Sequence, residues 1–236
     1  AAGLNQGAPS QWDGANWNTL TGLSPASGQS APWVSALAVG PGFAGEELTM
    51  LGSFRVSFGG AGDFASWDPL FGWGFTIGGL EGMQTAPPTR MSLAVPASSS
   101  GQGTQVYAIA GPFVAVAGRG CSGAATFTPN AYVADPLGAG IDDAVTASAS
   151  LPNGDLLIGG RFAQVDRSEA AALAISNAAA DNWHAPTVGG YPVIWGQFAA
   201  ADIRSIVKTP DGGFLIGGSF GLGTTPGTDI AYFDGS

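Results

Sequence analysis

Cysteine and histidine, the side chains that most often hold metals or act as nucleophile and base, each occur once in these 236 residues. A zinc centre needs three or four Cys, His or carboxylate ligands at close spacing, and neither a CxxC nor an HxxxH pattern is present, so zinc chemistry is excluded. Lone Cys121 has no internal disulfide partner and reads as a small buried or edge residue. Basic residues are nearly as scarce: seven Lys and Arg stand against seventeen Asp and Glu, for a net charge of -10. Phosphate backbones are bound by cations that displace counterions, so nucleic acid and anionic membranes are poor partners. The apolar runs fall far short of the ~20 residues a membrane helix needs, and the chain reads as soluble. No GxSxG elbow accompanies His184, which reads as a partly exposed imidazole on an outer strand. The glycines of "FGGAGDF" (58–64) are not followed by Gly-Lys-Ser/Thr and read as loop punctuation.

What is abundant is glycine, 39 residues, together with short alternating runs that repeat. "PNGDLLIGGRF" (152–162) has a near twin in "PDGGFLIGGSF" (210–220). In each, Pro-Asx-Gly supplies a fixed φ, a side chain able to bond its own backbone and a residue tolerant of positive φ, which makes a tight turn. Strand-type runs flank both turns: "VTASAS" (145–150) and "IRSIVK" (203–208) precede them, and "LLI" and "FLI" follow. Degraded copies join "VSALAV" (34–39) to "LTMLGSF" (48–54) and "MSLAV" (91–95) to "VYAIAGPF" (106–113). The Phe residues that close the units, Phe54, Phe113, Phe162 and Phe220, are separated by 59, 49 and 58 residues. A strand-built period of that size indicates a propeller or solenoid array. Downstream, "PSQWDGANWNTL" (9–20), "ASWDPLFGWGFTI" (65–77), "ISNAAADNWHAP" (175–186) and "IAYFDG" (230–235) supply further strands. Each repeat therefore has four strand positions, A to D.

The hydrophobic run closed by Gly-Gly, followed by an aromatic-Asp pair and then Trp, resembles the kelch pattern of galactose-oxidase-type β-propellers. "GIDDAV" followed by "PNGDLLIGGRF" is also similar to a related family of bacterial secreted propeller repeats. The resemblance implies an all-β fold of four-stranded antiparallel blades over a single domain, 1–236, with repeats at 21–77, 78–133, 134–186 and 187–236. Residues 9–20 are then a leftover C-D pair. In one arrangement "ANWNTL" becomes strand D of the last repeat and closes a four-bladed ring, which leaves "PSQWDG" competing with "IAYFDG" for position C. In the other, the chain is part of a larger or multi-chain propeller, because open strand edges invite pairing. The copper-radical chemistry of galactose oxidases needs two imidazole ligands, and the chain has one histidine.

Other chemistry is weakly signalled. Asp142 and Asp143 are adjacent on a strand approach, so their side chains diverge and do not form a glycosidase pair. Glu46 and Glu47 read as a solvated turn. Asp outnumbers Glu thirteen to four, which suits calcium as well as turns, yet no EF-hand pattern is present and no ligand is assigned. No cofactor is expected. Trp12, Trp67 and Phe233 at position C, with Trp17, Trp73 and Trp183 at position D, read as packing between blades. Trp33, Tyr191, Trp195 and Gln197 fall in the long D-A stretches "GLSPASGQSAPW" and "GGYPVIWGQFAAAD", where a rigid scaffold would present binding residues. The expectation is a secreted or surface-displayed, non-catalytic propeller that binds protein or assembles through its terminal strands. "AAGLNQ" reads as the start of a mature secreted chain. A carbohydrate-binding propeller is the alternative, and an enzyme acting on polysaccharide the second alternative.

Overall fold

The computed structural model describes residues 2–5, 8–12, 14–25, 32–41, 46–56, 61–68, 70–77, 80–81, 92–94, 107–111, 113–116, 118–121, 123–128, 133–136, 140–153, 155–176, 183–188, 191–192, 194–195, 201–222 and 225–234. All regular structure among them is antiparallel strand. Where the sequence reads as one domain over 1–236, the chain forms two compact units, Ala1–Leu80 and Glu81–Ser236.

The A-to-D order runs through meanders 1 to 3, and meander 4 carries strands A to C. Meander 1 runs through Trp33–Pro41, Glu46–Val56, Ala61–Asp68 and Gly72–Ile77, each strand pairing with the next. Meander 2 is Ser92–Ala94, Tyr107–Ala110, Ala124–Thr128 and Val133–Pro136. Its last strand straddles the boundary expected at 133/134. Meander 3 is Val145–Ser150, Leu156–Gly160, Leu173–Ser176 and Trp183–His184. Meander 4 has strands A to C at Asp202–Lys208, Phe214–Leu222 and Thr225–Phe233. Residues 9–20 contribute a C-D hairpin in which Trp12 faces Trp17 as Trp67 faces Trp73. Strand Ala2–Asn5 pairs along its other edge.

Three features make the repeats equivalent in detail. Strand B places a large apolar residue opposite an alanine of strand C: Met50 and Ala65, Ile109 and Ala125, Ile158 and Ala174, Ile216 and Ala231. All eight are buried, and large against small lets neighbouring layers interdigitate. Next, every repeat carries Gly-x-Phe within or just after strand B, at Gly52-Ser53-Phe54, Gly111-Pro112-Phe113, Gly160-Arg161-Phe162 and Gly218-Ser219-Phe220, with all four Phe buried. Finally, a β-bulge falls at the start of strand A, at Val34/Ala36, Val145/Ala147 and Ile203/Ser205. The bulge explains the glycine. A Cβ at Gly160 would overlap the Ala144 carbonyl oxygen, and one at Gly218 that of Asp202, because the bulged backbone closes in at that point.

The connections divide the repeats differently from the sequence. Meanders 1 and 4 extend strand B past the Phe anchor, where a short segment pairs with it: Leu23 faces Val56, and Ile194 faces Leu222. Meanders 2 and 3 instead insert a small hairpin between B and C, Ala115–Val116 with Arg119–Gly120 and Gln164–Val165 with Ser168–Glu169. These two inserts match bond for bond. Gly111 N–H donates to the Gly123 carbonyl (2.9 Å), Gly123 N–H to Phe113 (3.1 Å) and Cys121 N–H to Val114 (2.8 Å). Gly160 to Ala172 (3.0 Å), Ala172 to Phe162 (2.8 Å) and Ala170 to Ala163 (2.9 Å) repeat the pattern. Gly118 and Gly123 have φ of 76° and 80°, and their equivalents Arg167 and Ala172 have 67° and 72°.

Within the second unit the A strands lie side by side: Val145–Ser150 packs beside Ser92–Ala94 on one flank and Asp202–Lys208 on the other. The bulge residue Thr146 ties two of them, its hydroxyl donating to the carbonyl of Ile203.

Candidate functional site: the open face of meander 4

Alternation along a strand sends successive side chains to opposite faces, so each meander offers two apolar faces to be covered. In meander 3 both are covered. Leu156 and Ile158 pack with Val145, Phe162 and Trp183 on one side. Leu157, Leu173 and Ile175 pack on the other against Ile203, Phe214, Ile216 and Phe220 of meander 4. All five residues of its strand B are buried.

Meander 4 has the same rows with a different outcome. Its covered face carries Ile206, Ile216 and Ala231 in one cross-strand row and Lys208, Phe214 and Phe233 in the next. The opposite face carries the row Val207, Leu215, Tyr232 and the row Ser205, Gly217, Ile230. By register these match Ala149, Leu157, Ile175 and Ala147, Gly159, Leu173 of meander 3. Leu157 is fully buried (0 %), whereas Val207 is 55 %, Leu215 44 %, Ile230 69 % and Tyr232 53 % exposed. The glycines show the same contrast. A Cβ on Gly159 would run into Ile203 Cγ2 of the neighbouring meander, while one on Gly217 would meet Asp229 O at 3.9 Å and Ser205 Cβ at 4.0 Å. Gly217 is thus a seat of the kind Ile203 fills on meander 3, without an occupant among the described residues.

The rim of this face is polar. In the A-B turn, Thr209 N–H donates to Gly213 O (2.8 Å) and Gly212 takes φ of 92°, the turn that Pro-Asp-Gly demands. Asp211 accepts from the Thr209 hydroxyl and from the Tyr232 hydroxyl (2.9 Å), which reaches back from strand C over Gly213. These hydrogen bonds, Thr209 first and Tyr232 second, hold the Asp211 carboxyl below its ordinary pKa, and the bond to Asp211 raises that of Tyr232. At the bulge, where meander 3 has Thr146, meander 4 has exposed Arg204, paired with Asp202 (2.8 Å).

The residues expected to form a loop-borne binding site lie mostly on strands. Trp33 opens strand A of meander 1, opposite Ser53. Trp195 lies on the short segment beside strand B of meander 4, opposite Gly221, and Tyr191 in a two-residue pairing with Val188. Trp33 belongs to the first unit, Tyr191 and Trp195 to the second, and Gln197 lies outside the described residues. The D-A stretches read as loops because the residues that zip onto strand B, Leu23–Ser24 and Ile194–Trp195, are only two long. Alternation in "IRSIVK" and "IAYF" is the sequence signal that sets Val207, Ile230 and Tyr232 on one face of meander 4.

Several acids serve the backbone. Asp142 Oδ1 accepts from Ala163 and Gln164 N–H (3.0 Å each), which places "GIDD" against the inserted hairpin, while Asp143 bonds Ala144 N–H (2.6 Å) and lies 3.7 Å from Arg161. Asp68 Oδ1 accepts from Leu70 N–H (2.7 Å) and Phe71 N–H (3.1 Å) in the C-D turn. Among the described residues no three His, Cys, Asp or Glu side chains come together as a metal site. Cys121 is buried at the position Ala170 holds in meander 3, and burial pushes its thiol pKa up. His184 is exposed on strand D. Trp183 is core, as position D suggested. Trp73 is half-buried, with Nε1 donating to the Thr21 carbonyl (2.5 Å). Trp17 departs from that reading: it is exposed, because every residue of its strand is exposed and no face of Trp17–Thr19 is covered.

No protein-family model matches the chain, and no curated protein does either. Among solved structures it is similar to the extracellular domain of a candidate one-component system from B. thetaiotaomicron, at 11% identity and a TM-score of 0.49. The match covers 95% of this chain and 25% of that one, so the chain spans about a quarter of that protein's length. No helix among the described residues is long and apolar enough to cross a membrane.

Proposed function

We propose that the chain is a β-propeller-type repeat module that works outside the cell as a non-catalytic platform for docking protein. The observation that carries this reading is the open face of meander 4, built from the same rows that bury meander 3 against its neighbour. An exposed apolar sheet face suits another protein surface better than a small polar ligand, which needs concavity and convergent hydrogen-bonding groups. The propeller reading is supported by four equivalent meanders and by A strands lying side by side, the arrangement radial blades require. The non-catalytic reading is supported by Asp68 and Asp142, whose carboxylates bind turn backbone. The extracellular reading rests on the sequence resemblance and the acidic composition.

A thermal-shift series and glycan array on the purified chain test it. Mono- and oligosaccharides up to about 10 mM are expected to leave the Tm unchanged, and no glycan is retained. A saturable stabilisation by any sugar, which follows mass action for a ligand of the native state, overturns the docking reading in favour of the carbohydrate-binding one.

A further inference from the structure

We propose that Asn153, in the A-B turn of meander 3, is a modification site: it deamidates spontaneously in the folded protein, closing on Gly154 to a succinimide that water opens to aspartate and isoaspartate. Asn153 is the one asparagine in the sequence that precedes a glycine, and ring closure needs a following residue with no side chain to hinder its peptide nitrogen. Asn153 is exposed, its Oδ1 accepts from the Asp155 N–H (3.1 Å) and its Nδ2 donates to Asp155 Oδ2 (2.6 Å). The ring closed by the first bond contains both Asn153 Cγ and the next peptide nitrogen, so closing it folds the one toward the other. Attack on Cγ drives charge onto Oδ1, where the Asp155 N–H is already aimed to receive it. The Gly154 nitrogen forms a bond to Cγ and gives up its proton, the Cγ–Nδ2 bond breaks, and ammonia leaves with that proton. Water then adds to either carbonyl of the ring, giving an aspartyl or an isoaspartyl link.

Meander 4 supplies the internal comparison. Its matched turn closes with the same backbone bond, Thr209 N–H to Gly213 O for Leu151 N–H to Asp155 O (2.8 Å each), but Asp211 stands where meander 3 has Asn153. The Thr209 and Tyr232 hydroxyls donate to that carboxylate, and the Gly212 N–H is bonded to Thr209 O (3.0 Å), so both reacting groups are held and ring closure is slower there. Deamidation gives meander 3 the carboxylate that meander 4 already carries, in a different setting. Leu151 and Ile175 stand where meander 4 has Thr209 and Tyr232, so neither hydroxyl donor is there, and the new charge faces Asp155. Like charges at that distance repel, and the turn between strands A and B loosens.

The experiment is peptide mapping by mass spectrometry on the intact chain, incubated folded in warm, mildly alkaline buffer, beside a sample unfolded in urea. The peptide holding Asn153 is expected to gain about 1 Da as amide becomes carboxyl and to split into two chromatographic forms, with ammonia released in equal amount and every other asparagine unchanged. Asn153→Gln and Gly154→Ala should each abolish the change, with circular dichroism confirming that the variants are folded. A folded chain that keeps Asn153 while the unfolded chain loses it shows that the turn protects the residue, and overturns the inference. Earlier conversion of another asparagine, or isoaspartate appearing first at Asp211, overturns it as well. The comparison of folded and unfolded wild-type chain decides even where a variant fails to fold.

Discussion

Meanders 3 and 4 share the phrase that made the repeat visible, "PNGDLLIGGRF" against "PDGGFLIGGSF", and the same strand pairing, yet one is enclosed and the other has an open face. Sequence identity at the repeat level therefore fixes how a meander folds and leaves open what covers it. Packing follows position in the array: Leu157 and Leu215 hold the same register site, and among the described residues Leu157 packs against a neighbouring meander while Leu215 is exposed. Substitutions at matched sites should show this as unequal costs for equal chemistry.

The largest inequality is expected at the two leucines. Leu157→Ala removes buried methyl groups between two meanders and should cost about 2–5 kcal/mol in urea unfolding followed by circular dichroism. Leu215→Ala, in dilute solution, should cost about 0.5 kcal/mol or less. Equal losses at both would mean that meander 4 is covered in the single chain, and the comparison would fail.

The glycine pair is next. Gly159→Ala forces a methyl group into Ile203 Cγ2 and should destabilise by about 1–3 kcal/mol, the range for overpacking. Gly217→Ala meets ordinary contact distances and should be neutral or stabilise by up to about 1 kcal/mol through lost backbone freedom in the unfolded chain.

A smaller effect sharpens the comparison of meanders 2 and 3. Ala172 holds φ of 72° where the matched residue is Gly123, so Ala172→Gly should relieve left-handed strain and stabilise by about 1 kcal/mol or less. Cys121→Ala, copying Ala170, should change stability by about 1 kcal/mol or less. A loss well above that would show the thiol has a role that the shared hydrogen bonds to Val114 and Ala163 do not reveal.

The matched phrases also show how far the sequence was legible. Alternation marked strands A and B of all four repeats, joined by Pro-Asx-Gly turns in meanders 3 and 4, because those signals are local: "VTASAS" is strand A of meander 3 residue for residue. The four Phe anchors were legible for the same reason, since each follows a glycine within or just after strand B. The opposition of Met50 with Ala65 and its three counterparts was hidden, since an alanine carries no signal until the register names its partner. The inserted hairpins were hidden because Arg167 and Ala172 take positive φ without the glycine that announces it at Gly118 and Gly123. Long loops are where a sequence signals binding residues, whereas the exposed apolar rows of meander 4 lie on strands and differ from those of meander 3 only in what packs on them, which no residue type encodes.

The smallest expected effect lies at the rim of the open face, where the Tyr232 hydroxyl donates to Asp211. The Asp211 hydrogen bond favours the neutral phenol, so ultraviolet titration should show one tyrosine ionising above the ordinary range, and Asp211→Asn should bring it back down. For stability the signs differ at the two ends of the pH scale. Tyr232 has a raised folded pKa, so its contribution is complete below the unfolded value near about 10 and is lost as pH rises through the folded one. Asp211 has a lowered folded pKa, so its contribution is complete above the unfolded value near about 4 and is lost as pH falls through the folded one. Both groups are solvent-exposed and the change is small.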